Sequence, residues 1–200
     1  MKRFIVHSLL TVLCSVLLFA QDAWHLDRAH SRVEFNVTHM LISEVTGRFT
    51  DFDVTITSNG ADLSGGSVEA TINTTSINTD NESRDADLKG ESFFNTEKYP
   101  AATFKSTKIE KAGENAFTVT GDLTIRDKTK PVTMKVTYLG TVTDGQGRVK
   151  TGWKGVTTIN RFDYDVLWDR KLDTGGLVVS REAEITVRLE MVKQDPGKKG

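Results

Sequence analysis

The stretch EAEITVRLEM, residues 182–191, alternates apolar residues with charged or polar ones along its whole length. Such a period of two places successive side chains on opposite faces of a β-strand. One face receives only apolar side chains, namely Ala183, Ile185, Val187, Leu189 and Met191. The opposite face receives the charged residues Glu182, Glu184, Arg188 and Glu190. The segment is therefore predicted to be a strand with one buried and one exposed face.

The same alternation recurs upstream of this stretch. It is found at residues 32–39, 52–56, 68–72, 102–104, 119–125, 132–138 and 149–159. Polar turn sequences separate the segments, such as Ser58-Asn59-Gly60 and Asp144-Gly145-Gln146-Gly147. We predict an all-β, antiparallel fold of about eight strands of roughly 8 to 12 residues each. Since open sheet edges invite aggregation, the last strand is expected to pair with the first in a barrel able to enclose one small ligand.

Three segments lack the alternation. Residues 80–90 have a polar start, two apolar residues and a final Gly90, which predicts one short helix. Residues 160–176 mix aromatic and charged residues without a period, so an irregular loop covering the core or a cavity mouth is expected. The tail, residues 193–200, is expected to be disordered.

The N-terminal segment has the features of a secretory signal peptide. Lys2 and Arg3 precede an apolar run from Phe4 to Phe19, which is shorter than the ~20 residues that span a bilayer. Residues 1–20 are therefore predicted to be removed, with the cut after Ala20 or Ala23, rather than kept as a membrane anchor. The mature protein is expected to be periplasmic or secreted, without stable membrane insertion.

Composition excludes several function classes. The 200 residues include 26 Lys and Arg against 27 Asp and Glu, a balance that argues against a nucleic-acid partner. The single cysteine cannot form an internal disulfide or a cysteine-rich metal site. With 8% aromatic residues, the chain is poor in the girdles of an outer-membrane barrel, so a barrel with an apolar lumen is favoured.

Polar residues on or near apolar faces are the candidate site residues. His39 lies on the apolar face of its strand, either as a core or rim histidine with a satisfied hydrogen bond or as a polar contact inside the cavity. His30 has the opposite parity to His39, so the two side chains point to opposite faces and no metal site is expected. The sequence also has no nucleophile elbow. Arg84 and Lys89 belong either to a solvated surface helix or to a head-group site at the barrel mouth.

A series of motifs carries a resemblance to a known family. VEATINTTSINTDNESRDADLKGESFFNTEKYPAATFKST, residues 68–107, contains an INT-x-S strand, an Arg-Asp-x-x-Leu-Lys helix, a double aromatic, Tyr-Pro and a Phe strand. AWHLDRAHSRVEFNVTHM at 23–40, GRFTDFD at 47–53 and GDLTIRDKTKPVTMKV at 121–136 continue it. Over residues 24–192 the chain resembles the YceI-like family of lipid-binding proteins. The motif positions are His30, His39, Arg84, Asp85, Leu88, Lys89, Phe93, Phe94, Tyr99, Pro100 and Phe104.

The resemblance implies one exported, lipocalin-like barrel domain that carries a polyisoprenoid or fatty-acyl lipid, and it also implies homodimers. No catalytic residue, metal or cofactor is expected. The predicted lumen residues are Phe35, Val37, Ile72, Phe93, Phe94, Phe104 and Trp153. The predicted head-group residues are His39, Arg84, Lys89 and Tyr99. Two alternatives stay open: an enzyme acting on such a lipid with His39 as base, and a filled barrel that serves only as an interaction module.

Overall fold

The computed structural model describes residues 21–173 and 175–194. The predicted signal peptide, residues 1–20, and residues 195–200 of the predicted tail lie outside the described residues. Within the described residues, no helix is long and apolar enough to cross a membrane.

Eleven strand segments make up the sheet in the described part of the chain. They are β1 (Asp22–Leu26), β2 (Arg32–His39), β3 (Ser43–Phe49), β4 (Phe52–Asn59), β5 (Asp62–Asn73), β6 (Ile77–Asn78), β7 (Ala101–Lys111), β8 (Ala116–Ile125), β9 (Lys128–Thr143), β10 (Val149–Asn160) and β11 (Glu182–Lys193). At three places the break between two consecutive segments only interrupts a longer strand. A 3₁₀ turn, Arg28–His30, separates β1 from β2, two residues separate β3 from β4, and a second 3₁₀ turn, Thr74–Ser76, separates β5 from β6.

Strand register shows that these joined segments act as single long strands. β1 pairs with β4 and β2 pairs with β3, so both halves of one hairpin continue across the interruption. In the same way, β5 pairs with β4 and β6 with β3. Counting each joined pair once, the described residues form eight strands.

The sheet closes on itself through β11. This strand pairs with β10 along one edge, and its other edge is shared between β1 near Met191 and β2 near Val187. All pairings are antiparallel, and consecutive strands are neighbours. The predicted eight-stranded antiparallel barrel is therefore confirmed.

The predicted helix is also confirmed, as α1 (Glu82–Lys89). The Asn81 side chain caps it by accepting from the Arg84 backbone N–H at 3.0 Å, and Gly90 ends it. The predicted irregular segment begins as a 3₁₀ turn, Arg161–Tyr164, and continues to Arg181, beyond the predicted end at 176.

The two ends of the barrel differ. Tight connections at 60–61, 112–115 and 144–148 lie at one end, which we call the turn end, together with the start of β1 and the end of β11. The opposite end, the loop end, carries the β2–β3 turn, α1 with residues 91–100, the β8–β9 turn and the loop 161–181. Because side chains outside the regular strands concentrate at the loop end, a mouth is expected there.

The ordered barrel runs slightly past the predicted domain boundary at 192. β11 extends to Lys193, and the backbone N–H of Gln194 donates to the carbonyl of Ala23 at 2.8 Å. Lys193 also forms an ion pair of 2.8 Å with Asp22. The first and last strands therefore fasten each other at the turn end.

Candidate functional site

A cavity of about 220 Å³ lies inside the barrel. Members of two clusters of buried apolar residues line it, one cluster toward the turn end that includes Trp24 and Met191, and one toward the loop end that includes Tyr164 and Val166. The inward faces of the strands supply its wall, because alternate side chains of each strand point into the barrel.

The surface of this cavity is apolar, although five lining residues carry polar groups. The Glu34 carboxylate is paired with Arg188, and the Thr157 hydroxyl donates to the Thr133 carbonyl at 2.8 Å. Trp153, also in the wall, donates its indole N–H to Thr151 Oγ1 at 2.9 Å. The polar groups are thus bonded within the protein wall, and what remains facing the cavity is hydrocarbon.

Tyr164 and Arg161 are the other two polar lining residues. Burial raises the pKa of Tyr164 to about 12, so its hydroxyl stays neutral at ordinary pH. Burial also lowers the pKa of Arg161. Its guanidinium nevertheless has good partners, since it donates to the backbone carbonyls of Ser180, Val166, Trp168 and Val179 at 2.8, 2.6, 2.7 and 3.2 Å.

A second, more open cavity of about 730 Å³ lies at the loop end. Five residues line both cavities, so the two adjoin: Phe35, Val37, Leu88, Phe93 and Val179. The second cavity differs in chemistry because His39, Asn81, Arg84, Asp87 and Glu91 are also in its wall. We call it the mouth cavity. An apolar chamber thus opens beside a chamber with charged and hydrogen-bonding groups.

Arg84 in the mouth cavity is oriented by Thr79. Its Nε donates to Thr79 Oγ1 and its Nη2 to the Thr79 carbonyl, both at 2.8 Å. The buried carboxylate of Asp85 fixes Thr79 in turn, accepting from its backbone N–H at 2.8 Å and from its hydroxyl at 2.6 Å. No carboxylate in the described residues lies within ion-pair distance of Arg84, so its positive charge is open to a ligand.

The loop 161–181 is held against residues 91–100 across the mouth. Phe93 stacks on Trp168 with ring centroids 5.6 Å apart. Arg126, in the β8–β9 turn, donates to the carbonyls of both Phe93 and Asp165. These contacts join three separate connections at the loop end, so the mouth has a defined wall.

The predicted site residues fall into three groups. All seven predicted lumen residues line the barrel cavity, and Phe35, Val37 and Phe93 line the mouth cavity as well. Of the predicted head-group residues, His39 and Arg84 line the mouth cavity. Lys89 and Tyr99 belong to neither lining, and the Tyr99 ring instead lies 5.3 Å from the Arg126 guanidinium.

Trp168, Val178 and Val179 are mouth residues that the sequence patterns did not single out. They belong to the irregular loop, where no period indicates which side chains face inward. The one available signal was the presence of several aromatic residues in a charged segment.

A cluster of titratable groups lies outside both cavities. His30 Nδ1 is 3.2 Å from Asp27 Oδ1, and Glu190 completes a group with metal-ligand geometry. The ammonium of Lys150 already holds both carboxylates, at 2.9 Å from Asp27 and 2.7 Å from Glu190. The Lys150 hydrogen bond lowers the pKa of Asp27 to about 2. The cluster is thus an ion-pair network fastening β10, β11 and the β1–β2 join.

Comparison with known proteins gives a consistent result. A family model described as YceI-like domain matches residues 24–191. Protein YceI of Escherichia coli is 36% identical over 165 residues, covering 82% of this chain and 83% of the relative.

Two solved structures also resemble the chain. Burkholderia cenocepacia BcnA has a TM-score of 0.73 and 29% identity, covering 82% of this chain and 98% of its own. A polyisoprenoid binding domain from Saccharophagus degradans has a TM-score of 0.60 and 17% identity, covering 86% and 98%, and shares the fold.

Proposed function

The chain belongs to the YceI-like domain family, and we propose from this that it binds a long-chain amphipathic lipid inside the barrel. The observation that carries the proposal is the apolar cavity that adjoins a partly polar mouth. A hydrocarbon chain matches the first chamber and a polar head group matches the second. A polyisoprenoid, which the similar Saccharophagus degradans domain is named for binding, and a fatty-acyl lipid both have this form.

Burial of the chain supplies the binding free energy. Each CH₂ group removed from water contributes about 0.8 kcal/mol, so ten carbons supply about 8 kcal/mol before ordering of the chain is subtracted. The apolar wall offers no hydrogen bond to a head group, and burying one there would leave it unsatisfied. The chain therefore enters first and the head group stays at the mouth.

Two residues of the mouth cavity are proposed to contact the head group. Arg84 supports this role because its guanidinium is oriented by Thr79 and its charge has no carboxylate partner in the described residues. His39 lies in the same wall. An anionic or hydroxyl head group fits both donors. No chemical step is needed for this function, so the protein is proposed to be a carrier rather than an enzyme.

Export is the proposed route to the working compartment. A cut after Ala23 would remove Asp22, which pairs with Lys193, and the Ala23 carbonyl, which accepts from Gln194. A cut after Ala20 leaves all of β1 in place. We therefore propose cleavage after Ala20 and a periplasmic or secreted carrier.

Homodimer formation, which the family resemblance implies, stays a prediction for light scattering to test.

The function is tested first by identifying the bound ligand. The protein purified from its native host is analysed by native mass spectrometry and by organic extraction. A long-chain lipid at one per chain is expected. An empty protein that also fails to bind prenyl and fatty-acyl probes would overturn the proposal and favour a barrel used only as an interaction module.

A pair of neighbouring substitutions then tests the location. Ala70 lines the barrel cavity, whereas Thr71, the next residue of β5, is exposed on the outer face. Ala70→Phe should displace at least two CH₂ groups of the ligand and weaken affinity about tenfold. Thr71→Phe adds the same ring outside and should bind as the unmodified protein does. Equal affinities for the two variants would place the lipid elsewhere.

A further inference from the structure

Three exposed apolar side chains project from the loop end of the barrel. Met40, Leu41 and Ile42 form the β2–β3 turn, and their exposed fractions are 44%, 65% and 88%. We call these three residues the apolar tip. Among the described residues, three further large apolar side chains are exposed: Leu139 and Val142 near the turn end of β9, far from the mouth, and Leu167 in the loop 161–181 at the loop end. Side chains this exposed and clustered in sequence leave much of their apolar surface uncovered by the folded chain and are suited to an external apolar partner.

The backbone of the tip is held in an unusual conformation. Met40 and Leu41 have φ values of 52° and 66°, in the left-handed region that Asn and Gly normally occupy in such turns. Bulky apolar residues at these positions are disfavoured locally. The neighbouring loop supports the conformation, because the Met40 N–H donates to the Val178 carbonyl at 2.8 Å. Local turn preference therefore does not account for the residues found here.

The tip borders the mouth cavity directly. His39 precedes it, Val45 follows on β3, and Val178 is hydrogen-bonded to it, and all three line the mouth. Leu41 lies against Gly176 of the same loop, where an added Cβ would come within 3.3 Å of Leu41 Cδ1. A partner that binds the apolar tip is thus brought to the opening of the barrel.

We propose that the apolar tip inserts into the surface of a lipid bilayer and docks the mouth on the membrane. The inference rests on the proposed function, since a protein that binds a lipid chain must receive its ligand where the ligand leaves the hydrocarbon of a bilayer. A bilayer fits a narrow, convex tip. A stable protein interface would need about 20 to 30 residues on each side, and three side chains on one turn do not supply that.

Charges beside the tip do not favour a charged partner. Residues 169–173 of the adjacent loop contain Asp169, Arg170, Lys171 and Asp173, two acidic and two basic groups. The docking is therefore driven by burial of apolar side chains and should persist in high salt, which screens exposed charges. It should also occur on vesicles of zwitterionic lipid alone.

Vesicle flotation tests the proposal with a matched control. Leu41→Ser combined with Ile42→Ser should lower partitioning onto phosphatidylcholine vesicles by about tenfold for each side chain. Leu139→Ser combined with Val142→Ser removes two comparably exposed side chains away from the mouth and should leave partitioning unchanged. Failure of the unmodified protein to float, or an equal loss in both double variants, would overturn the docking role.

Two further measurements separate the possible failures. Binding of a dansyl-labelled farnesyl probe without vesicles reports the proposed function, so probe binding without flotation refutes only the docking, and flotation without probe binding refutes only the carrier role. Light scattering reports the oligomeric state. If the tip substitutions convert a dimer into a monomer, the tip contacts a second copy and the bilayer proposal is wrong.

Discussion

Gly47 is required because an aromatic ring occupies the position of its missing side chain. A Cβ at this position would lie 2.2 Å from Cζ of Phe35 and 2.8 Å from Cγ2 of Thr79. Gly47→Ala should therefore displace Phe35, which lines both cavities, and lower the free energy of unfolding by about 1–3 kcal/mol. Urea denaturation measures the loss, and the farnesyl probe should bind more weakly.

Two companion variants test this cause. Phe35→Leu in the Gly47→Ala background removes the clashing ring and should recover part of the lost stability. Gly145→Ala, where no atom lies within 4 Å of the added methyl, should leave the urea midpoint unchanged. A Gly47→Ala protein as stable as the original would show that Phe35 moves aside freely.

Lys150 is the central residue of the ion-pair network with Asp27 and Glu190. Lys150→Met leaves both carboxylates without their ammonium and should lower the free energy of unfolding at pH 7. Lys154→Met on the same strand removes an exposed lysine and should change stability little. Chemical denaturation of the two variants gives the comparison.

The stability that the Asp27–Lys150 ion pair contributes depends on pH with a definite sign. The pKa of Asp27 is lowered to about 2 in the folded protein, below its ordinary value of about 4. Its contribution is therefore complete above about pH 4 and is lost as the pH falls through about 2. The stability difference between the unmodified protein and Lys150→Met should shrink over this window. A difference that stays constant from pH 5 to pH 2 would contradict the assignment.

At the scale of elements, the loop 161–181 depends on one side chain. The Arg161 guanidinium donates to four carbonyls of this loop, and a lysine ammonium lacks the planar fork needed to reach them together. Arg161→Lys should destabilise the loop by about 3 kcal/mol and speed amide exchange over residues 165–181. Arg181→Lys, an exposed cation of the same loop, should leave exchange unchanged. Uniformly faster exchange across the barrel would indicate global destabilisation instead.

Elements formed by local patterns were predictable from the sequence. The alternation in β11 and the Asn81 and Gly90 signals around α1 depend on residues close in the chain, and the structure has both. The interruptions after β1 and β5 were not predicted. The segments on either side of each interruption are held by pairing with strands elsewhere in the chain, and no local pattern shows such pairing.

The site residues divide in the same way, into those that a local pattern indicated and those that depend on contacts between distant segments. Parity within strands indicated which side chains face inward, and Phe104 and Trp153 are in the cavity wall. The orientation of α1 was not available from its sequence, so Arg84 and Lys89 were equivalent candidates although only Arg84 lines the mouth. Contacts such as Phe93 with Trp168 join distant segments through packing, which no local period encodes.

At the scale of the whole molecule, the barrel is closed at the turn end and open at the loop end, and its three tryptophans lie at different depths. Trp24 is buried in the cluster at the turn end, Trp153 lines the barrel cavity and Trp168 lines the mouth. A ligand that enters chain first should therefore bring its methyl end close to Trp153 and its head group close to Trp168.

Brominated fatty acids can report this orientation, because bromine quenches nearby tryptophan fluorescence. A fatty acid brominated near its methyl end should quench mainly Trp153, so Trp153→Phe should remove most of the quenching while Trp168→Phe removes little. Bromine beside the carboxylate should reverse the two results. Since the cavity wall is apolar, the head-first orientation would bury a carboxylate without a partner. Quenching of Trp168 by the methyl-end bromine would show that the head group nevertheless enters first, and the mouth would then not be the head-group site.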